Sequence, residues 1–292
     1  MRDITDRVVA RPDSNCAVGH VRFDVVKSLW WTSMMAGGII GIIYFTTWTN
    51  VAVFLGLSAV ILCGGHSLGM HRKLIHDSFD CPLWLERFGV YLGTLVGLGG
   101  PFTIMKTHDL RDWAQRQSAC HAYLRHGRAM TIDYFWQVHC RLDLERAPDF
   151  RFPKKIIEDP FLVFIQRTAM AQQIPLAIIL FFIGGWGCVL WGICLRVSIS
   201  IFGHWLIGYF AHNHGPRDFH NVGAAVQGHN VPFCGLFTFG ECWHNNHHAF
   251  PESAKLGLMP GQSDPGWWVL KQLRDIGLVW NINLPDISSR KA

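Results

Sequence analysis

Between Ser28 and His71 the chain carries no Asp, Glu, Lys or Arg. One helix needs about 20 apolar residues to cross a bilayer, so this run is long enough for two. The polar stretch TTWTN (46–50) breaks it, with a Trp of the kind that favours a membrane interface. The pattern predicts helices over about 29–46 and 50–69. A second pair follows. Thr168 to Leu195 is uncharged, and after Arg196 the chain is uncharged again to Pro216. GGWGC (184–188) interrupts that run, which predicts helices over about 168–185 and 190–211. Between the pairs, PLWLERFGVYLGTLVGLGGPFTIMK (82–106) is apolar but holds Glu86, Arg87 and several glycines. A full span, a re-entrant hairpin and an interfacial hairpin all fit it.

Basic residues set the orientation. Arg2, Arg7, Arg11, Arg22 and Lys27 precede the first span, and many more lie between Arg72 and Arg167. Lys255, Lys271, Arg274, Arg290 and Lys291 lie in the tail. The two hairpin tips hold none, apart from Arg196 beside the second. The positive-inside rule then puts both termini and the central segment in the cytoplasm. The expected fold is an all-α integral membrane protein, four transmembrane helices in two hairpins. A cytoplasmic N-terminal segment (1–27) and a cytoplasmic helical cap (71–167 and 212–292) complete one domain over 1–292.

Composition agrees. Half of the chain is hydrophobic and only 16% is charged, against about 25% in average proteins. The net charge of +5 suits a basic face on anionic lipid. No Lys/Arg-rich run points to nucleic acid. The nine cysteines are irregularly spaced with no CxxC pair, so they read as free thiols. The opening MRDITDRVVARPDSN lacks the apolar core of a signal peptide.

The sixteen histidines change the picture most. His66, His71 and His76 fall where the second span leaves the membrane, and His108, His121 and His126 on the central segment. His204, His212 and His214 lie along and just past the fourth span. GECWHNNHHAFP (240–251) adds His244, His247 and His248. Those three stand at i, i+3 and i+4, one face of a helix. His71 and His76 are five apart, about 140° around an ideal helix. That spacing suits two metals, or a helix that unwinds between them. His20, His108, His126, His139, His220 and His229 read as hydrogen-bonded or surface histidines, and His66 and His204 as buried neutral ones. For His244, His247 and His248 a metal is the better reading, because crowded imidazoles repel when charged and lose solvation when buried. Many imidazoles, few carboxylates and no CxxC point to a redox metal rather than structural zinc.

HRKLIH (71–76) after a transmembrane hairpin and WHNNHHAFP (243–251) resemble the membrane-bound fatty acyl desaturases, most closely the delta-9, stearoyl-CoA type. The resemblance runs from about residue 29 to Pro285. It includes LRVSISIFGHWLIGYFAH (195–212), with matching Arg196, Trp205 and His212, and the tail SAKLGLMPGQSDPGWWVLKQLRDIGLVWNI (253–282). It implies an oxygen-dependent enzyme with two iron ions that introduces a cis double bond into a fatty acyl chain carried on CoA or lipid. Electrons would come from a cytochrome or ferredoxin-type donor. His71 and His76 match the family's first histidine box, His212 its isolated ligand, and His244, His247 and His248 its third box.

The second box is degenerate. The family pattern is a Trp, then HxxHH four residues on. WAQRQSACH (113–121) aligns Trp113 with that Trp, so Gln117 and Cys120 replace the first two histidines and His121 remains. These three keep an i, i+3, i+4 spacing, which predicts a preserved helical face. Gly208 stands where the family holds an Asn. The resemblance therefore implies metal ligands His71, His76, His121, His212, His244, His247 and His248, seven of nine expected histidines. Three arrangements fit the gap: Cys120 ligates as a thiolate, His126 or His108 substitutes, or one iron site lacks a donor.

The functional expectation is a membrane oxidoreductase, a fatty acyl desaturase. A hydroxylase, ketolase or acetylenase on the same scaffold is an alternative, as is a catalytically impaired metal- or lipid-binding protein. A histidine-rich metal transporter fits less well, because no Asp or Glu lies within the proposed spans. Arg72, Lys73, Arg111, Arg116 and Arg125 read as a basic membrane-facing surface, with binding of an anionic head group as the functional alternative.

Overall fold

Asp24 opens the first long helix, α1 (Val25–Phe45), its side chain accepting the Lys27 backbone N–H. Thr47 caps α2 (Trp48–Val60) in the same way, accepting from Asn50. In this computed structural model, which describes residues 7–287, α2 runs on into a π-helical segment, Ile61–Ile75. Arg2, Arg290 and Lys291 lie outside the described residues. The protein is mostly helical with little sheet, and among the described residues three helices are long and apolar enough to cross a membrane: Val25–Phe45, Trp48–Ile75 and Met170–Asn213.

The last of these has 44 residues, about 66 Å if straight, twice the hydrocarbon core. It is not straight. Gly184 and Gly185 leave helical geometry, and Gly185 takes φ 64°, a conformation only glycine adopts freely. Across this break Leu180 packs with Ile193, and Arg196 Nη2 donates to Gln173 Oε1 at 2.8 Å. Residues 23 apart in sequence touch only because α8 (Gln173–Val189) folds back on the helix that becomes α9 (Arg196–Asn213). Ile39, Ile42 and Ile43 on α1 and Ile178, Ile179 and Phe182 on α8 are exposed. Hydrocarbon, not water, suits such a surface, and the protein is membrane-associated.

The ambiguous central stretch becomes α3 (Leu83–Leu95) and the start of α4 (Pro101–Arg116). At 13 residues, α3 is about 20 Å long, too short for a span. It lies antiparallel against the π-helical segment on a glycine seam. A Cβ on Gly65 would collide with the backbone of Leu92 and Gly93, and one on Gly69 with Gly89. Small residues at both positions let the two backbones touch. Met70, Leu74, Ile75, Val90, Met105 and Leu162 fill the core behind that seam.

Two short antiparallel pairs tie the N-terminal segment to the middle of the chain: β1 (Val8–Val9) with β4 (Asp149–Phe150), and β2 (Asn15–Phe23) with β3 (Cys140–Arg146). Helices α5 (Met130–His139), α6 (Lys154–Ile157) and α7 (Pro160–Thr168) complete the central region. The C-terminal region adds α10 (His244–Ala249) and α11 (Pro265–Asp275).

Arg72 and Lys73 do not form a membrane-facing surface. Arg72 is 1% exposed; it donates to Asp264 Oδ1 at 2.8 Å, to Phe239 O at 2.8 Å and to Ala254 O at 2.7 Å. Lys73 donates to Asp77 Oδ1 at 2.6 Å and to Phe79 O at 3.0 Å. Asp264 also accepts from the Leu256, Gly257 and Trp267 backbone, so this buried pair clamps the C-terminal segment onto the π-helix. Removing one partner of such a pair costs about 3–5 kcal/mol, because the other charge stays buried.

Candidate metal centre

Helix α10 is short, and its asparagines hold it in place. Asn245 Oδ1 accepts from the Asp218 and Phe219 backbone, and its Nδ2 donates to Phe219 O and Gly228 O. Asn246 Nδ2 donates to Leu256 O and Gln262 Oε1. With both asparagines tied outward, His244, His247 and His248 point inward. They do not share one target.

Among the described residues two groups of histidines gather, each with ligand nitrogens within 4.8 Å of one another. The first is His71, His76, His108 and His247. The second is His212, His244 and His248. The ring centroids of His244 and His247 stand 5.7 Å apart, so the two groups are neighbours joined through α10.

The π-helix explains the first group. An α-helix would turn His71 and His76 apart. Here His76 N donates to His71 O at 3.1 Å, the i to i+5 bond that widens the turn and brings residues five apart onto one side. Their rings lie 4.8 Å apart, and both lie within 4.8 Å of the His247 ring. His108 Nε2, from α4, stands 3.3 Å from His76 Nε2. Both nitrogens of His247 are buried without a hydrogen-bond partner, which is costly unless something else binds there. His71 Nδ1 lies 2.6 Å from Glu241 Oε2. A carboxylate on Nδ1 fixes the ring and leaves Nε2 as a lone-pair donor, the arrangement common behind metal-ligating histidines.

In the second group His212 Nδ1 donates to Gly208 O at 2.6 Å, which again turns Nε2 inward. That Nε2 is 3.0 Å from His244 Nε2, which is 2.9 Å from His248 Nε2. Bonds of about 2.1 Å put two donors on one ion about 3.0 Å apart when adjacent and about 4.2 Å apart when opposite. The nitrogen spacings of both groups therefore fit a metal ion in each. Burial and the neighbouring imidazoles lower the His247 pKa well below its ordinary value, and burial brings His248 down to about 4. Neutral imidazole is the form that ligates. Burial alone would raise the Glu241 carboxyl, but His71 and Arg72 outweigh it and hold it well below the usual carboxylate range.

The segment aligned with the second box lies elsewhere. Helix α4 ends at Arg116 and Gln117 is extended (φ −72°, ψ 166°), so Gln117, Cys120 and His121 do not share the helical face expected of them. The chain is drawn out by bonds from Ala225 N to Gln117 O and from His121 N to Cys16 O. Gln117 Nε2 donates to Trp113 O. Cys120 packs against the cluster of Cys16, Ala114, Tyr123 and Leu124, and burial pushes its thiol up to about 12, away from a thiolate. His121 stacks on Trp136, and its Nδ1 accepts from Tyr123 N. It joins neither group. His126 is occupied at both nitrogens, by Asp133 Oδ2 at 2.8 Å and Arg111 Nη1 at 2.6 Å. Of the candidate substitutes, His108 alone joins a group. The sequence signal for it is HDLRD (108–112), which has the HxxHH spacing with Arg111 and Asp112 in the last two places. Nothing in histidine content alone marks it. His66 and His204 meet edge to face at 4.6 Å beside the first group.

The profile of the fatty acid desaturase family matches residues 46–257. The chain is 34% identical to an sn-1 stearoyl-lipid 9-desaturase of Anabaena variabilis over 82% of its own length and 86% of the relative's. It is 32% identical to an sn-1 stearoyl-lipid 9-desaturase of Synechocystis sp., over 82% and 74%. It is also 29% identical to an acyl-CoA C20 delta5-desaturase of Anemone leveillei, over 84% and 78%.

Proposed function

The chain belongs to the fatty acid desaturase family, and from that premise we propose how it acts. It is a membrane oxidoreductase that introduces a double bond into fatty acyl chains. Its centre holds two iron ions, one on His71, His76, His108 and His247, the other on His212, His244 and His248. The observation that carries this is the pair of buried histidine groups, four and three strong, with inward nitrogens at metal-ligand spacing. His121 takes no part in this ligand set. When bound, the irons supply the oxygen chemistry that removes hydrogen from an unactivated methylene.

The protein's own residues prepare that chemistry. Glu241 and the Gly208 carbonyl orient His71 and His212. Arg72 and Asp264 hold the C-terminal segment, which carries α10's supports, against the π-helix. We read each arm of the folded 44-residue helix as a crossing, giving four spans in two hairpins. The same reading places both termini and the histidine groups on the cytoplasmic side, in a cap that forms one domain with the spans. The acyl chain is carried on lipid or CoA, oxygen is the co-substrate, and a cytochrome or ferredoxin-type protein supplies electrons. The test is expression in a host lacking its own desaturase, with gas chromatography of total lipid. A new unsaturated peak that needs oxygen and vanishes in His247→Ala is expected. Iron-loaded wild type that gives no new peak overturns the assignment.

A further inference from the structure

Helix α5 (Met130–His139) is inside out for a helix that faces water. Asp133 and Gln137, one turn apart, point inward and are bonded there. Asp133 Oδ2 accepts from Trp205 Nε1 at 2.9 Å and lies 2.8 Å from His126 Nδ1. Gln137 Nε2 donates to Tyr123 O at 2.6 Å, and its Oε1 accepts from Arg111 at 3.0 Å. Met130, Ile132 and Phe135 are turned outward, at 41%, 48% and 50% exposure, with Thr131 the one polar side chain exposed among them. A surface helix of a water-soluble domain has the opposite order, with its polar side out.

The neighbours of α5 decide what covers that face. The Tyr134 ring stands 5.8 Å from Trp31 of α1, and 4.9 Å from Trp205 and 6.1 Å from Phe202 of α9. The helix therefore lies between two of the long apolar helices. Trp31 is six residues into α1, about 9 Å from its start, and Phe202 is eleven residues, about 16 Å, from the end of α9. These contacts fall within the apolar lengths and not beyond them. Phe135 stacks on Phe23 at 6.5 Å, and Phe23 directly precedes the Asp24 cap of α1. Val25, Val26 and Leu29, at the start of α1, are exposed as well. The apolar surface of α1 thus continues onto α5.

We propose that α5 is seated in the bilayer, wedged between α1 and α9 at the membrane interface on the histidine side, with Ile132 and Phe135 in contact with phospholipid. The proposal rests on the reading of α1 and the α9 arm as crossings. Helices that lie in the interface bury their apolar face about 5–10 Å into the boundary of head groups and acyl chains. This one meets lipid on one side. On the other, Asp133 holds His126, whose ring stacks on His212 at 5.3 Å.

The test uses the full chain in host membranes grown with radiolabelled phospholipid. Photoreactive p-benzoylphenylalanine replaces Phe135, Ile132 or Ile39 one at a time, Ile39 being an exposed position in the middle of α1. After irradiation the protein band from each variant should carry label, at a level for Phe135 and Ile132 comparable to that for Ile39. The peptide holding the reactive residue should shift by the mass of one phospholipid. Label at Ile39 but at neither Ile132 nor Phe135 overturns the seat and leaves the crossings standing. So does a heavier protein band from Ile132 and Phe135, whether of twice the chain's mass or of a mixed adduct, because another protein then covers the face. No label at Ile39 overturns the reading of α1 as a crossing, and the seat falls with it.

Discussion

Helix α10 and the 117–121 segment carry equally suggestive sequences and behave in opposite ways. Both present an i, i+3, i+4 set of potential ligands. In α10 each asparagine between the histidines is bonded to the surrounding backbone, so the helix has one orientation and its imidazoles face inward. After Arg116 the helix has ended, and backbone bonds to Ala225 and Cys16 carry Gln117, Cys120 and His121 away. Ligand spacing on a sequence is thus informative only where the helix that would give it meaning is held by something else.

The largest test of this contrast removes histidines from the centre and from the 117–121 segment in turn. His108→Ala should lose product as completely as His247→Ala, while His121→Ala should leave it near wild type, all by gas chromatography of lipid from the same host. If His121→Ala were the inactive one, the placement of the second region would be reversed. Next comes support of the rings. Glu241→Gln removes the carboxylate behind His71 and should weaken iron binding by about 10–100-fold, read by competition with a chelator. The anchoring of α10 is tested by Asn245→Ala, which orphans buried backbone groups and should cost about 1–3 kcal/mol, seen as a lower thermal midpoint in detergent. The smallest expected effect is Cys120→His. It restores a histidine to the aligned box, yet iron content and product should not move, because that position packs against Cys16 and Tyr123. A gain of iron in this variant would show that the segment can reach the centre after all.

The long apolar helices were legible because absence of charge over tens of residues is a coarse signal that no local detail disturbs. The break at Gly184–Gly185 was legible for a similar reason, since paired glycines interrupt an otherwise uniform run. His71, His76, His212, His244, His247 and His248 could be named, but not sorted into four and three. Sorting needs the π-helix, and its widened turn leaves no pattern that an ideal helical wheel would detect. The expectation that Arg72 and Lys73 face a membrane failed because their partners, Asp264 and Asp77, can be identified only in the folded chain. His108 could be named only as one possible substitute among several, because Arg111 and Asp112 fill the places where histidines would have flagged the motif.

The clamp between Arg72 and Asp264 has a consequence for how the protein is made. The ribosome releases His71, His76 and His108 well before His247, an interval of at least about 7–28 s, counted from His108, at about 5–20 residues per second. Neither histidine group is complete until the final fifth of the chain has emerged and Asp264 has docked. On the proposed di-iron reading, metal delivery is therefore a late step of biogenesis. Until then, on that reading, the half-built site presents bare imidazoles, open to any competing ion that arrives first.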